Sequence, residues 1–412
     1  MTSVLNAADL RIDPGRWPDV AQAPKPGARA RIAAPLFRRI TERLAVRVAY
    51  PDGTVTGTTG PTMRVVRPQA FFARLGAHGL IGFGESYQAG DWDSDDLVAL
   101  LTVFAGQMGT LVPPKLQWLR RFHGPRAPGA ERNTLEGSRR NIHRHYDLSN
   151  ELFALFLDES MSYSSALFDT SPDLTTAQHR KIDRLLDATG VRAGSRVLEI
   201  GTGWGELAIQ AARRGARVSS VTLSAEQRTL ALQRAAAAGV ADRVDVRLCD
   251  YREIEPVPGG HDAILSVEMI EAVGRAYWPQ YAATLERHLA PGGAVGLQMI
   301  TMADDRMRQT RDTYTWIHKY VFPGGLVPSV PAITAVLRDA GLAVRDRLDF
   351  GADYAETLRR WRASFAARSA EVAALGFDAT FARTWNFYLA YCEAGFAAGY
   401  IDVCQLVSGR VE

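Results

Sequence analysis

The sequence predicts an α/β protein with a doubly wound, mostly parallel sheet, preceded by a smaller α+β N-terminal domain. Three observations carry this expectation. From about residue 180 onward, short apolar runs alternate with amphipathic stretches. One of those runs, Arg196–Ile200, leads directly into Gly201-Thr202-Gly203-Trp204-Gly205. Ahead of residue 110 the patterning is shorter and mixed.

The alternating region reads in order. Arg196–Ile200 is a buried-strand candidate, followed by a helix over Glu206–Arg213 and a strand over Val218–Leu223. Further strands are predicted at Val244–Leu248, Ala263–Val267 and Ala294–Ile300, with a helix at Trp278–Leu289. Strand–helix alternation of this kind builds a parallel sheet covered by helices on both faces. In the N-terminal part, Leu44–Tyr50 alternates as a strand does, and Pro51-Asp52-Gly53-Thr54 reads as a turn. Met63–Val66 suggests a second strand, and Ser94–Phe104 a helix capped by Ser94 with two aspartates in its first turn. The expected organisation is a loose arm over 1–30, an accessory domain over 31–110, a proline-bearing linker over 111–136 and the doubly wound domain over 137–412.

Composition narrows the function classes. A hydrophobic share of 47% and a charged share of 23% are ordinary for a globular protein. No run approaches the roughly 18 apolar residues that cross a bilayer, and no secretory signal pattern follows Met1. A cytoplasmic location is therefore expected. The net charge of +3 is too small for a nucleic-acid footprint, so no nucleic-acid partner is expected. Local arginines (Arg38, Arg39, Arg43; Arg120, Arg121, Arg126) suit anionic lipid headgroups, each contributing about 1 kcal/mol. Cys249, Cys392 and Cys404 are too few and too scattered for a disulfide framework or a zinc site, and no metal is expected.

The glycine turn carries the chemistry. A strand ends in Glu199, and Gly201, Thr202, Gly203 and Gly205 follow at G-x-G-x-G spacing, unlike the G-x-G-x-x-G of dinucleotide folds. This resembles the first motif of class I methyltransferases, which bind S-adenosylmethionine. After the second strand stands Thr222-Leu223-Ser224-Ala225-Glu226-Gln227, and after the third Asp250-Tyr251.

With these, several separate stretches resemble the cyclopropane-fatty-acyl-phospholipid synthase family along nearly the whole chain. They are His145-Tyr146-Asp147-Leu148-Ser149-Asn150, Met161-Ser162-Tyr163-Ser164, Ser266-Val267-Glu268-Met269-Ile270-Glu271, Lys319–Gly325, Tyr354–Leu358 and Tyr388–Gln405. Within the family, Arg16-Trp17-Pro18, His78–Tyr87 and Gly203–Leu207 are most similar to methyltransferases of the tuberculostearic acid pathway. The resemblance implies methyl transfer to the double bond of an oleoyl-type chain in a phospholipid. The product would be a 10-methylene acyl chain, which a separate reductase then saturates. It also implies a peripheral membrane surface and a homodimer. Tyr163, Ser164, Thr222, Leu223 and Gln227 would line the cofactor, and Asp250 and Tyr251 would sit by its adenine.

An isolated alkene is a poor nucleophile, so the methyl donor must be held in line with it. Attack leaves a carbocation that water would quench, so the cavity must be apolar and closed. Aromatic faces stabilise such a cation; Tyr163, Phe168, Tyr314, Trp316, Tyr320 and Phe322 are candidates. A base then takes a proton. The resemblance implies a bound bicarbonate for this, fixed by Glu271 and Tyr354. Two positions depart from the family pattern: Gln298 replaces a histidine, and Ser165 replaces a cysteine. Cys392 matches a cysteine often marked as active, yet no histidine neighbours it in sequence and no step needs a thiolate, so it reads as structural. Two other readings remain open: a cyclopropane synthase working on the same substrate, and a catalytically silent lipid-binding protein on the same fold.

Overall fold

The computed structural model describes residues 10–107, 133–135, 137–138 and 149–411. The described chain divides into two compact units. One is drawn from residues 1–127, 312–323 and 358–400, the other from 128–311, 324–357 and 401–412.

In the first unit, turn chemistry sets a small sheet. Strands β1 (Arg47–Ala49), β2 (Val55–Thr56), β3 (Thr62–Val65) and β4 (Trp92–Ser94) lie in the order β2-β1-β3-β4. The predicted turn joins β1 to β2. Gly53 takes φ 83°, which suits glycine, and Asp52 accepts from the Thr54 N–H at 2.9 Å. Ser94 is not a helix cap. It ends β4 and donates its hydroxyl to Thr62 O at 2.8 Å, while Asp96 caps the helix Leu97–Gly106 through the Ala99 N–H. An aspartate directly before the apolar run outcompetes a serine two places earlier.

The segment expected to be a loose arm is packed where it is described. Pro18–Ala21 forms a helical turn with Val20 fully buried. The buried Arg74 guanidinium needs acceptors, and the carbonyls of Asp19 and Val20 supply them at 2.6 Å. The long helix Ala379–Ala397 closes this unit: Arg383 donates to Tyr87 O at 2.9 Å, and Gln88 donates to Thr384 Oγ1 at 2.8 Å. Residues 111–132 and 136 of the expected linker, the Arg120, Arg121, Arg126 patch and His145–Leu148 lie outside the described residues.

The second unit is the expected doubly wound sheet. Its strands are β5 (Arg196–Ile200), β6 (Arg217–Thr222), β7 (Val244–Leu248), β8 (His261–Val267), β9 (Leu289–Thr301), β10 (Leu342–Asp349) and β11 (Asp402–Arg410). They lie in the order β10-β11-β9-β8-β5-β6-β7. Pairing is parallel from β9 through β7, and β11 is antiparallel to both its neighbours. Neither β10 nor β11 is expected from the sequence pattern. Alternate residues of one strand feed opposite cores: Val197 packs with Leu185, Leu207 and Val218, and its neighbour Leu198 with Ile264, Leu285 and Val295. The chain runs outward from β5 through β6 and β7, then returns to the other side of β5 with β8. That reversal is where open α/β sheets bind ligands, beyond the carboxyl ends of the strands. Among the described residues, no helix is long and apolar enough to cross a membrane.

Candidate active site

The glycine turn lies at that reversal, and its backbone explains its composition. Gly201, Gly203 and Gly205 have φ of 98°, 52° and 92°, the left-handed region that side-chain-bearing residues avoid. The Gly201 and Thr202 N–H groups bond Val221 O at 3.0 and 3.2 Å, which ties the turn to β6. Gly205 faces Ala231 closely, whereas among the described residues a side chain on Gly203 would meet no protein atom within 4 Å. The turn therefore presents an open backbone face at Gly203, as a cofactor cradle requires.

The side chains expected around the cofactor have defined partners. Glu199 is buried and accepts from Ser220 Oγ, which in turn pairs with Thr202 Oγ1 at 2.6 Å. Burial pushes the Glu199 carboxyl up to about 8, against the pull of the Ser220 hydrogen bond. Thr222 Oγ1 donates to Gln227 Oε1 at 3.0 Å, and Leu223 between them is half-buried. Asp250 commits its carboxylate to Arg252 at 2.7 Å, and Tyr251 packs edge-on against Tyr281. Tyr163 stacks its edge on Phe153, which also contacts Trp204 of the turn. Ser164 Oγ accepts from the buried Lys181 ammonium at 2.6 Å, and burial pulls that lysine down to about 8. The residues present fit S-adenosylmethionine: an open glycine turn, with half-buried Tyr163 and Leu223 and the buried hydroxyls of Ser164 and Thr222.

The second cluster forms where β8 ends, beside the turn, since the Met269 side chain lies against Gly201. Its centre is Glu268, which sequence reasoning does not single out. Glu268 holds φ 51°; among the described residues only Met161 is another non-glycine with positive φ. That conformation costs roughly 1 kcal/mol and aims the carboxylate into the cluster. Three donors close on it. Tyr354 Oη donates to Oε2 at 2.7 Å, and the Ser165 N–H and Gln298 Nε2 both donate to Oε1 at 2.9 Å. Tyr354 stands on the helix Gly351–Ala367, which also bonds the Ser165 segment: Thr357 accepts from Ala166 N–H at 3.2 Å, and Asp353 from Phe168 N–H at 3.0 Å.

The Gln298 amide has one consistent orientation. Arg184 can only donate, and it donates to Gln405 Oε1 at 2.8 Å. Gln405 Nε2 therefore donates to Gln298 Oε1 at 3.1 Å, which leaves Gln298 Nε2 to donate to Glu268. The Tyr354 hydroxyl, expected to fix an anion, is thus assembled with the Gln298 amide and the Ser165 N–H, but around a carboxylate of this chain. Bicarbonate does not fit here, because the hydrogen bonds that would hold it are already made.

Glu271 stands apart from Tyr354. One of its oxygens accepts from the Ile300 N–H, and the other is buried without a partner among the described residues. Burial and the neighbouring Glu268 charge push Glu271 up to about 8. Glu268 is also raised by burial, but Tyr354, Ser165, Gln298 and the Lys181 charge oppose that rise. The pair differs in its hydrogen bonds: Glu268 accepts three, and Glu271, pushed up to about 8, holds a proton at neutral pH.

Other candidates fall elsewhere. Cys392 is half-buried on the helix Ala379–Ala397 of the first unit, and burial pushes its thiol up to about 12. Of the aromatic candidates, Tyr163 and Phe168 belong to the second unit and Tyr314, Trp316, Tyr320 and Phe322 to the first. Tyr320 donates its hydroxyl to the buried Glu85 at 3.0 Å, Trp316 packs on Phe387 at 4.8 Å, and Phe322 packs on Tyr388. No group of three or more metal-ligating side chains occurs among the described residues.

Residues 133–406 match the family described as mycolic acid cyclopropane synthetase. The chain belongs to this family. It is an S-adenosylmethionine-dependent methyltransferase. A tuberculostearic acid methyltransferase of Mycobacterium tuberculosis, UfaA1, is 52% identical over 409 residues, covering 96% of this chain and 95% of the relative. The cyclopropane-fatty-acyl-phospholipid synthase of Escherichia coli is 33% identical, over 90% of this chain and 93% of its own. Among solved structures, the cyclopropane synthase MmaA2 from Mycobacterium tuberculosis superposes with TM-score 0.61 at 27% identity, over 66% of this chain and 97% of that one. The mycolic acid cyclopropane synthase CmaA1, complexed with SAH and CTAB, gives TM-score 0.60 at 29% identity, over the same shares. Membership in the cyclopropane synthetase family accounts for the second unit, whose sheet carries both clusters.

Proposed function

We propose that this enzyme methylates the double bond of an oleoyl-type chain in a phospholipid and leaves a 10-methylene acyl chain. The observation that carries this reading is the 52% identity to a tuberculostearic acid methyltransferase over nearly the full length of both chains. The site chemistry agrees with it. The bound cofactor supplies a sulfonium methyl, and the glycine turn holds it at the carboxyl edge of the sheet. Beside it lies a carboxylate able to take a proton. No step of this reading runs through bicarbonate.

A lipid surface as partner is supported by the helix Ala28–Thr41. Ile32 and Leu36, one turn apart, are 66% and 54% exposed, and the same helix presents Arg29, Arg31, Arg38 and Arg39 to solvent. Apolar residues flanked by cations suit the boundary of an anionic bilayer. A methylene product calls for a separate reductase to saturate it.

The E. coli relative supports a second reading, cyclopropane formation from the same cation. Both outcomes remove a proton from the added methyl; they differ in whether a hydride shift or ring closure fills the cationic carbon. Mass spectrometry of phospholipids from an expressing host decides between them. A one-carbon gain whose unsaturation disappears on mild hydrogenation supports the methylene product. A gain that resists hydrogenation overturns it in favour of the ring.

A further inference from the structure

We propose that the Glu268 carboxylate is the base that takes the proton from the methylated acyl cation, in the place where a bound bicarbonate is otherwise expected. The inference rests on the acyl-methylation reading above and goes beyond it by naming the base. It starts from hydrogen-bond accounting. The donors of this pocket are the Ser165 N–H, Gln298 Nε2 and the Tyr354 hydroxyl, and all three already point at Glu268 between 2.7 and 2.9 Å. A free anion would have to displace a carboxylate fixed to the backbone, at an entropic cost the covalent one does not bear.

The amide chain reinforces this. Arg184, Gln405 and Gln298 relay donors in one direction, so the last one presents N–H to Glu268 and stabilises its ionised form. A histidine at position 298 would titrate; an amide keeps its donor at every pH. The left-handed φ of 51° at Glu268 is a local strain that persists where a structure requires it, as at a functional carboxylate. Its place after β8, with Met269 against Gly201, sets it beside the cofactor turn.

The step balances. The alkene pair forms the new bond to the methyl carbon, while the donor's S–CH3 pair stays on sulfur, leaving a carbocation at the other former alkene carbon of the acyl chain. A Glu268 oxygen then accepts H+ from the added methyl, after a hydride shift if the product is methylene. The C–H pair becomes the second bond of the methylene group, or a ring bond. The carboxyl group so formed gives its proton to water once product has left.

Bicarbonate titration and turnover test this together. The native enzyme should turn over equally, within about twofold, in CO2-scrubbed buffer and in buffer with added bicarbonate, and calorimetry should detect no saturable bicarbonate binding. Glu268→Gly relieves the positive φ, so it should fold, and it opens the cradle. It should lose about 100-fold in turnover, as expected for losing a base, bind 13C-labelled bicarbonate and recover part of its rate when that anion is added. Glu268→Gln should lose a similar factor with unchanged S-adenosylhomocysteine affinity. Saturable bicarbonate binding by the native protein, or Glu268→Gln retaining a third of native turnover, overturns the proposal. The binding measurement needs no lipid, so it still decides the anion site if no C-methylated lipid forms in either buffer, an outcome that sinks the substrate reading instead.

Discussion

Tyr354 donates its phenolic hydroxyl to Glu268 across 86 positions of sequence, at 2.7 Å, and not to Glu271 three residues further on. Removing that donor makes the carboxylate easier to protonate. Tyr354→Phe should therefore move the acidic limb of the kcat–pH profile to higher pH, because a base works only above its own pKa. Turnover at neutral pH should fall about tenfold or more, in line with the roughly 1.5–3 kcal/mol of a hydrogen bond to a charged group. An unmoved limb would show that Tyr354 does not act through Glu268.

Gly203→Val should abolish cofactor binding. Gly203 sits at φ 52° with open space where a side chain would grow. A β-branched residue resists that backbone and fills the cradle. Calorimetry with S-adenosylhomocysteine, on a variant shown by circular dichroism to be folded, checks this; unchanged affinity would place the cofactor elsewhere.

Stability should decline with pH on account of Glu199. Its folded pKa is about 8, well above the ordinary 4.5, because burial penalises the charge. The native state therefore holds a proton that the unfolded state releases above about 4.5. Its contribution is complete below that value and is lost as pH rises through about 8. Glu271, also raised to about 8, acts with the same sign. Glu199→Gln should flatten the fall in melting temperature between pH 5 and 8.5 by a few degrees, a scale on which about 1 kcal/mol is visible. A variant with the native slope would mean Glu199 is ionised throughout.

Vesicle binding should depend on Ile32 and Leu36. Ile32→Asp combined with Leu36→Asp should weaken sedimentation with anionic oleoyl vesicles about tenfold or more, since each change removes apolar contact and adds repulsion. Native binding should also weaken as salt shortens electrostatic reach to about 8 Å at physiological ionic strength. If the double variant binds as the native protein does, the lipid-facing surface lies elsewhere.

Cys392 should resist alkylation. With its thiol pushed up to about 12, only about one part in ten thousand is thiolate at pH 8. Iodoacetamide labelling followed by peptide mass spectrometry should find it far slower than a free thiol, and rapid modification would restore it as a reactive residue.

The parallel strands of the central sheet were legible from their apolar runs between turn residues, although β9 begins at Leu289 rather than at the expected Ala294. The expected spans for β5 and β7 coincide with the observed ones, and those for β6 and β8 differ by a residue or two at the ends. β10 escaped notice because Arg345-Asp346-Arg347 interrupts its apolar pattern, and only pairing with β11 holds it in the sheet. The site was legible where residues lie close in sequence, as in the glycine turn. Glu268 was hidden for the opposite reason. It stands in plain view in the motif Ser266–Glu271, but its donors come from 30, 86 and 103 positions away, and its backbone angle leaves no trace in composition. The available signal was chemical. An acid at 268 stands in the same short motif as Glu271, and the residue at 298 is an amide rather than a titrating group.

The first unit draws its closing helix from near the end of the chain, and this sets a timetable for synthesis. Tyr87 and Arg383 bond across 296 positions. At roughly 5–20 residues per second on the ribosome, the earlier partner waits on the order of half a minute for the later one. Phe387 and Trp316, which pack together in the same unit, also emerge long after the N-terminal strands. The earlier-translated part of this unit therefore waits for the later part before it finishes folding. Until then its apolar surfaces are exposed to chaperones, and a shortened transcript ending before residue 379 would yield a unit without its keystone helix.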